Sequence, residues 1–161
     1  MDTLSDNDDA QRLIRFIRDE IPLARAMDLR LQHHDADMLS LCAPLPPNVN
    51  DKGCAFGGSL VSLMTLSGWA LVELALRRRG IDCDVFVAES GVRYLAPLWQ
   101  DFCSEARLAP DARWDTFFDT LAARGRARIA VECIVPGTDG QPAATLAARF
   151  VAKRREPTLP A

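Results

Sequence analysis

The sequence predicts an α+β domain in which an antiparallel sheet wraps around one long buried helix. Residues 53–72 contain no charged side chain, and their apolar residues lie on nearly every face of a helix. The segments on both sides instead show the short apolar and polar alternation of strands, separated by turn residues. Because a helix that is apolar all round must be buried all round, we expect the strands to cover it.

Composition limits the class of protein. The chain has 161 residues, of which 48% are hydrophobic and 25% charged, which suits one globular domain. Its 19 basic residues are scattered, and 22 acidic residues leave a net charge of -3, which argues against a nucleic-acid partner. The polar, acidic residues 1–9 do not resemble a secretory signal. We therefore expect a cytoplasmic protein without a membrane or nucleic-acid partner.

Cysteine and histidine spacing indicates neither a disulfide framework nor a metal site. The cysteines are odd in number and include no CxxC pair, so we expect reduced thiols. His33 and His34 have no ligand partners at metal-site spacing. The sequence thus predicts no metal and no cofactor. The five cysteines are Cys42, Cys54, Cys83, Cys103 and Cys133.

The central helix is predicted over residues 57–79. Arginines at 77–79 suit its negative end, and Gly80 suits a left-handed cap after it. The uncharged run is long enough to span a bilayer. Four hydroxyl residues dilute its hydrophobicity, however, which favours a buried helix over a membrane span. These are Ser59, Ser62, Thr65 and Ser67.

The segments before the central helix predict one short helix and two strands. Asp8 or Asp9 can cap a helix with an apolar stripe, which Ile21 and Pro22 would end. Strands are expected at residues 26–33 and 38–43, before a proline cluster. We expect residues 1–11 to be a flexible N-terminus and residues 12–153 to form the domain. The stripe consists of Leu13, Ile14, Phe16 and Ile17.

The segments after the central helix predict four strands with one helix inserted among them. Alternation or apolar content indicates strands at 84–95, 102–108, 126–135 and 143–153, and helical spacing indicates a helix from Asp111 to Gly125. Residues 154–161 contain two prolines and little to pack, so we expect a flexible tail.

Several motifs together resemble one known family. The chain is similar to the thioesterase domain of the hot-dog superfamily, which is also found fused behind GNAT-type acetyltransferases, over roughly residues 12–153. The motifs are Asn48-Val49-Asn50, Gly53, Phe56-Gly57-Gly58-Ser59-Leu60, Ser67-Gly68-Trp69 and Ser90-Gly91-Val92-Arg93-Tyr94-Leu95-Ala96-Pro97.

The resemblance implies a hot-dog fold that hydrolyses the thioester of acyl-CoA or acyl-carrier protein. It also implies a homodimer made by joining two sheets edge to edge, often stacked into a homotetramer, with active sites at subunit boundaries. A second possibility is a non-catalytic module that binds acyl thioesters. Dehydratase chemistry in this superfamily usually needs a well-placed histidine, and both histidines here precede the helix.

The glycine motif predicts the site of carbonyl binding. Gly57 and Gly58 begin the helix, where free N–H groups and the positive dipole end can hold an oxyanion, although tight packing would also explain them. We expect Phe56 and Ser59 to contact the substrate. The resemblance implies that Asn50 lies near the thioester, and the alternative is that Asn50 caps its own turn.

The group that activates water is harder to identify. Related thioesterases carry a helical carboxylate where this chain has Thr65, which could orient a water molecule or bond to a helix carbonyl. Glu89 is predicted to share a strand face with Val85 and Val87, partly buried, which makes it the first candidate base. The alternative is a salt bridge from Glu89 to Arg93.

Further residues complete the predicted substrate contacts. Ser67 lies close to Thr65 along the helix, and Ser90 lies beside Glu89 on the strand, so both are expected to bind substrate. Arg93, with Arg77 or Arg78, could meet the phosphates of CoA. Simple solvation of these arginines is the alternative.

Overall fold

The computed structural model describes residues 3–157 and residue 160. Of the tail predicted at 154–161, positions 158, 159 and 161 lie outside the described residues. The described residues form four α-helices: α1 (Thr3–Glu20), α2 (Pro22–Ala26), α3 (Gly57–Arg78) and α4 (Trp114–Arg124). They also form six strands: β1 (Arg30–His34), β2 (Met38–Ala43), β3 (Cys83–Tyr94), β4 (Phe102–Leu108), β5 (Arg126–Pro136) and β6 (Pro142–Arg154).

All six strands belong to one antiparallel sheet with the order β1-β2-β4-β5-β6-β3. The helix α3 packs against β2, β3, β4, β5 and β6, so one face of the sheet curves around it. This arrangement confirms the predicted α+β fold. Because β3 pairs only with β6, its other edge is open along 12 residues.

The core is built where α3 approaches the sheet most closely. Gly68 lies against the fully buried ring of Phe150 on β6 and the sulfur of Cys133 on β5. A Cβ atom at Gly68 would lie 2.8 Å from Cε2 of Phe150 and 3.4 Å from Sγ of Cys133. The Cys133 Sγ–H donates to the carbonyl of Met64 at 3.2 Å, and burial raises the pKa of this thiol to about 12. A residue without a side chain at 68 is therefore required for this contact.

The helix α3 is apolar enough to meet the length and composition of a membrane span, with a mean hydropathy of 1.6. Most of it is buried in the protein, however, as expected for the core helix of the sheet. The C-terminal end of α3 lies close to the predicted position, since Arg79 follows the last helical residue and Gly80 has a left-handed φ of +65°.

The N-terminal boundaries differ from the prediction. The helix α1 begins at Thr3, not at Asp8 or Asp9, so residues 3–11 of the predicted flexible N-terminus are helical. Its stripe is buried at Leu13, Ile14 and Ile17 but not at Phe16. As predicted, α1 ends just before Pro22. Pro22 also begins the short helix α2, which was not predicted, because proline suits a first helical turn. As a result β1 begins at Arg30 and not near position 26.

A β-bulge in β3 reverses the predicted faces of that strand. Val87 pairs with Phe150, but Glu89 pairs with Arg149, so Ala88 is the extra residue. Glu89 therefore does not share a face with Val85 and Val87. After the bulge, the residues at 90, 92 and 94 face α3, and those at 89, 91 and 93 face outward.

The prediction of five reduced thiols is wrong for two of them. Cys42 on β2 and Cys103 on β4 are directly opposite in the register and form a disulfide. Spacing along the chain could not reveal this pair, because 61 residues separate them and only the strand register brings them together. The other three thiols are free and buried: Cys54, Cys83 and Cys133.

We expect Gly68→Val to lower the free energy of unfolding by about 2 kcal/mol or more, because overpacking a tight core costs about 1–3 kcal/mol. Gly91→Val is the matched control, since a Cβ at Gly91 would have no heavy atom within 4 Å. Urea unfolding with an unchanged slope measures both changes. Equal stability of the two variants would contradict the close approach at Gly68.

Candidate functional site

One face of α3 is left partly open by the sheet. Its residues recur at every third or fourth position, so they lie along one line on the helix. We call this line the open stripe. It consists of Gly58, Val61, Ser62, Thr65, Leu66 and Trp69.

The open stripe borders the edge strand β3. The indole Nε1–H of Trp69 donates to the carbonyl of Val85 at 2.9 Å, and the Tyr94 hydroxyl donates to the carbonyl of Gly57 at 3.3 Å. The two contacts show that α3 and β3 run in opposite directions. Thr65 therefore lies between them along α3, and Ser90 and Val92 lie between them along β3. These residues lie along the boundary between the helix and the strand, and we call this boundary the groove.

The N-terminus of α3 is positioned by a buried asparagine. The Asn48 side-chain amide donates to the carbonyls of Met27 and Pro44, at 2.9 and 2.7 Å. The backbone carbonyl of Asn48 accepts the amide hydrogen of Phe56, the residue that precedes the helix, at 2.8 Å. Asn48 is 1% exposed, so this link is shielded from water. The loop and the helix start are thereby joined to the segment before β1.

The first amide hydrogens of α3 have no helical partner. Leu60 is the first residue whose amide bonds to a carbonyl four residues back, that of Phe56. No side chain among the described residues caps this end. The N–H groups of Gly57, Gly58 and Ser59 are thus available at the positive end of the helix dipole. This arrangement suits a carbonyl oxygen that becomes negatively charged during a reaction.

A cleft of about 370 Å³ adjoins this helix end. Gly57 and the Tyr94 ring both form part of its wall. A Cβ atom at position 57 would lie 3.4 Å from Cε1 of Tyr94, so a bulkier residue there would project towards the ring. Most of the lining is apolar, which suits a hydrocarbon chain. The lining residues are Ala55, Gly57, Leu60, Tyr94, Leu95, Ala96 and Pro97.

Glycine at position 58 accommodates the ring of Phe56. A Cβ at Gly58 would collide with Cε1 of Phe56, so a larger residue would displace the ring. The ring is 53% exposed beside the helix end. Phe56, predicted to contact substrate, therefore lies next to the available amides.

Asn50 is used within its own loop. Its Oδ1 accepts the amide hydrogens of Lys52 and Cys54, at 2.8 and 3.2 Å, and its Nδ2 donates to the Cys54 sulfur. This is the turn-capping alternative considered from the sequence. The side chain therefore shapes the loop before α3.

The hydroxyl groups on α3 have different surroundings. Ser67 is fully buried and its Oγ–H donates to the Leu63 carbonyl at 2.8 Å, so this position is closed to a ligand and its predicted substrate contact is wrong. Ser59 is also buried. Thr65 is partly exposed, and within the described residues its hydroxyl has no hydrogen-bond partner. The alternative of a bond from Thr65 to a helix carbonyl is therefore not observed.

Two residues predicted on β3 lie on the outer face of the sheet. Glu89 is 74% exposed, and its carboxylate lies 3.7 Å from the Arg149 guanidinium, not beside Arg93. Arg93 likewise faces outward. The expected partial burial of Glu89 is wrong because the bulge at Ala88 turns it away from α3. Ser90 lies instead on the side of β3 that faces α3.

The arginines at the end of α3 are far from the available amides. Arg77 donates to Glu73 at 3.0 Å, and Arg78 lies 3.0 Å from Nδ1 of His34. They stand about 30 Å from Gly57, given a rise of about 1.5 Å per residue. In the described part of the chain, no cluster of three or more His, Cys, Asp or Glu residues could hold a metal ion.

Tyr94 and the segment after it were not identified as site residues from the sequence. Strict alternation along β3 would put Tyr94 and Val85 on different faces of the sheet. The bulge puts them on the same face, so the Tyr94 hydroxyl reaches α3. A signal was present in the Tyr94-Leu95-Ala96-Pro97 sequence, which belongs to the motif that resembles known thioesterases.

Known proteins share both the sequence pattern and the fold. Residues 10–154 match the family described as "Putative thioesterase (yiiD_Cterm)". A protein of unknown function from Chlorobaculum tepidum is 28% identical, with a TM-score of 0.84 over 91% of this chain and 94% of that one. A structure described as a putative thioesterase from Shewanella oneidensis is also 28% identical, with a TM-score of 0.81 over 91% of this chain and 99% of its own.

A third structure supports the same fold. A protein from Pseudomonas aeruginosa described as a probable thioesterase is 24% identical, with a TM-score of 0.74 over 90% of this chain and 96% of that one. The family match covers nearly the whole domain, including the loop, the glycine pair and the strand β3 that form the site. The chain therefore belongs to the thioesterase family of the yiiD C-terminal type, with a hot-dog fold.

Proposed function

We propose that this protein hydrolyses an acyl thioester of CoA or of acyl-carrier protein. The observation that carries the proposal is the uncapped start of α3, where the amides of Gly57 and Gly58 adjoin an apolar cleft of about 370 Å³. The amides suit the thioester carbonyl, and the cleft suits the acyl chain.

Hydrolysis consumes one water molecule for each thioester. Water adds to the carbonyl carbon, the carbonyl oxygen gains negative charge, and the carbon–sulfur bond then breaks to release a thiol and a carboxylic acid. Amide hydrogens at a helix start stabilise the charged oxygen more strongly than the neutral carbonyl. In this proposal Gly57 and Gly58 therefore lower the barrier to the addition step.

Thr65 is the best placed side chain to position the water. It lies on the open stripe two helical turns after Gly58, its hydroxyl has no other partner among the described residues, and its position faces the groove. A threonine hydroxyl can hold and orient water, although it is too weak a base to take the proton fully. Phe56 and Ser90 border the same region and would contact the substrate.

A specific observation favours the alternative, a module that binds acyl thioesters without cleaving them. Among the described residues of the open stripe and the cleft lining, none carries a carboxylate. The nearest predicted acid, Glu89, faces the opposite side of the sheet. A site with amides and an apolar cleft but no base would bind a thioester and leave it intact.

We further propose that two chains form a homodimer by pairing their β3 edges. This edge is 12 residues long, has unpaired backbone groups, and carries exposed apolar side chains such as Phe86 and Tyr94. A long apolar edge strand is prone to pair with another chain. Such pairing would cover the groove beside α3. We expect these dimers to be cytoplasmic and to pair further into tetramers.

We predict that the purified protein releases more than one CoA per subunit from at least one member of a panel of short, medium, long and aromatic acyl-CoA thioesters. Mass spectrometry of free CoA and of the matching carboxylic acid should give equal amounts. If a thioester raises the melting temperature but no CoA is released, and acyl-carrier protein substrates also remain intact, the binding module is the correct function.

We predict that Thr65→Val lowers kcat by about 100-fold with little change in KM, because a misplaced reacting group costs about 10²-fold in rate. Thr65→Ser keeps the hydroxyl and should retain most of the activity. Thr120→Val on α4 is the control, because that hydroxyl bonds to its own helix at Thr116. Wild-type kcat in Thr65→Val would remove Thr65 from the mechanism.

We predict that the native mass is at least twice the chain mass of 17.7 kDa, and that Phe86→Lys shifts it towards the monomer because a charge at a sheet edge opposes pairing. Leu23→Lys on α2 is the matched control, with 54% exposure against 58% for Phe86. Light scattering after size exclusion measures the mass. A monomeric wild type, or an equal effect of both lysines, would contradict pairing through β3.

A further inference from the structure

We propose that Cys42 and Cys103 form a reversible thiol–disulfide exchange site that controls the mobility of the two loops around the cleft. This inference does not depend on thioester hydrolysis, because it concerns the loops and can be measured without a substrate. It rests on the strand register, on the partial exposure of the two cysteines, on a polar neighbour beside one of them, and on the position of the pair at the base of both loops.

The sheet keeps the two sulfurs adjacent in either redox state. Cys42 and Cys103 are directly opposite on β2 and β4, with their Cα atoms 4.0 Å apart. The strand pairing continues on both sides of them, through Leu41 with Ser104 and Ala43 with Phe102. Reduction therefore leaves the thiols side by side, and the disulfide can form again without a search through the chain.

Accessibility distinguishes this pair from the other cysteines. Cys42 and Cys103 are both partly exposed, so a soluble thiol can reach them. The remaining cysteines are buried, and the pKa of Cys133 is raised to about 12 by burial, which keeps it in the unreactive thiol form. Thiol exchange is thus restricted to one pair of the five cysteines.

A polar partner is already present for the reduced form. The side-chain oxygen Oε1 of Gln32 lies 2.6 Å from Sγ of Cys42. In the disulfide this sulfur has no hydrogen, whereas the thiol formed by reduction can donate to that oxygen. The same oxygen accepts the Ser40 hydroxyl at 3.4 Å. Gln32 and Ser40 therefore form a polar neighbourhood around the Cys42 sulfur.

The pair lies where both loops leave the sheet. The loop of residues 44–56 follows β2 directly, and the loop of residues 95–101 leads directly into β4. Two hydrogen bonds join the loops: the Leu45 amide donates to Asp101 Oδ1, and the Ala55 amide donates to the Leu98 carbonyl, both at 2.7 Å. The disulfide adds a covalent link at their base. Breaking it removes this covalent link and leaves the strand pairing and these hydrogen bonds in place.

The exchange step conserves atoms and electrons with a dithiol reductant. A thiolate of the reductant attacks one sulfur of the pair, the protein disulfide breaks, and the other cysteine leaves as a thiolate that takes up a proton. The second thiolate of the reductant then displaces the first cysteine. Two electrons pass to the protein, and the reductant becomes a disulfide. In the cytoplasmic location proposed above, disulfides are usually transient or redox-sensing, which agrees with such a site.

The test compares hydrogen exchange of the full-length protein in oxidised glutathione and in dithiothreitol. In the oxidised protein we expect loops 44–56 and 95–101 to exchange about tenfold more slowly than in the reduced protein, because a covalent link opposes local opening. Cys42→Ser and Cys103→Ser should exchange at the reduced rate in both buffers. Strands β5 and β6 serve as the internal control and should change little.

Alkylation followed by mass spectrometry gives a second measurement on the same samples. Cys42 and Cys103 should be protected together in oxidised glutathione and labelled together after dithiothreitol, with Cys133 unlabelled in the native protein throughout. Labelling of Cys42 and Cys103 under every oxidising condition would overturn the exchange site. A disulfide that forms without any change in loop exchange would overturn its control of the loops.

Discussion

Burial of the apolar helix α3 is the constraint on which the rest of the structure depends. A helix of this composition must be covered on most sides, and the curved sheet provides that cover. The closest approach is at Gly68, where the backbone lies against Phe150 and Cys133. Because the sheet ends at the unpaired edge of β3, one line of the helix is left partly open. The core and the candidate site are therefore two faces of one helix.

The same helix provides the chemical groups of the site. Asn48, buried in the preceding loop, positions the start of α3, so its first amides adjoin the apolar cleft. Those amides need no acidic or basic side chain to stabilise negative charge. This explains how a site with few ionisable groups fits a family of thioesterases. It also explains why the missing carboxylate leaves binding without cleavage as the competing function.

Several contacts hold the loops that form the cleft. Asn48 links the first loop to the segment before β1, two hydrogen bonds join it to the second loop, and the disulfide of Cys42 with Cys103 closes their base. Strands β2 and β4 continue directly into these loops, so a change in the disulfide acts close to the cleft.

The sequence by itself determined the central helix, the strand order along the chain and the glycine start of α3, because periodicity and turn residues are local properties. Only the tertiary structure decided which face Glu89 occupies and which cysteines pair. One extra residue at Ala88 reverses the alternation of β3, and its presence depends on pairing with β6. Likewise Cys42 and Cys103 meet through strand register across 61 residues, which local spacing cannot encode.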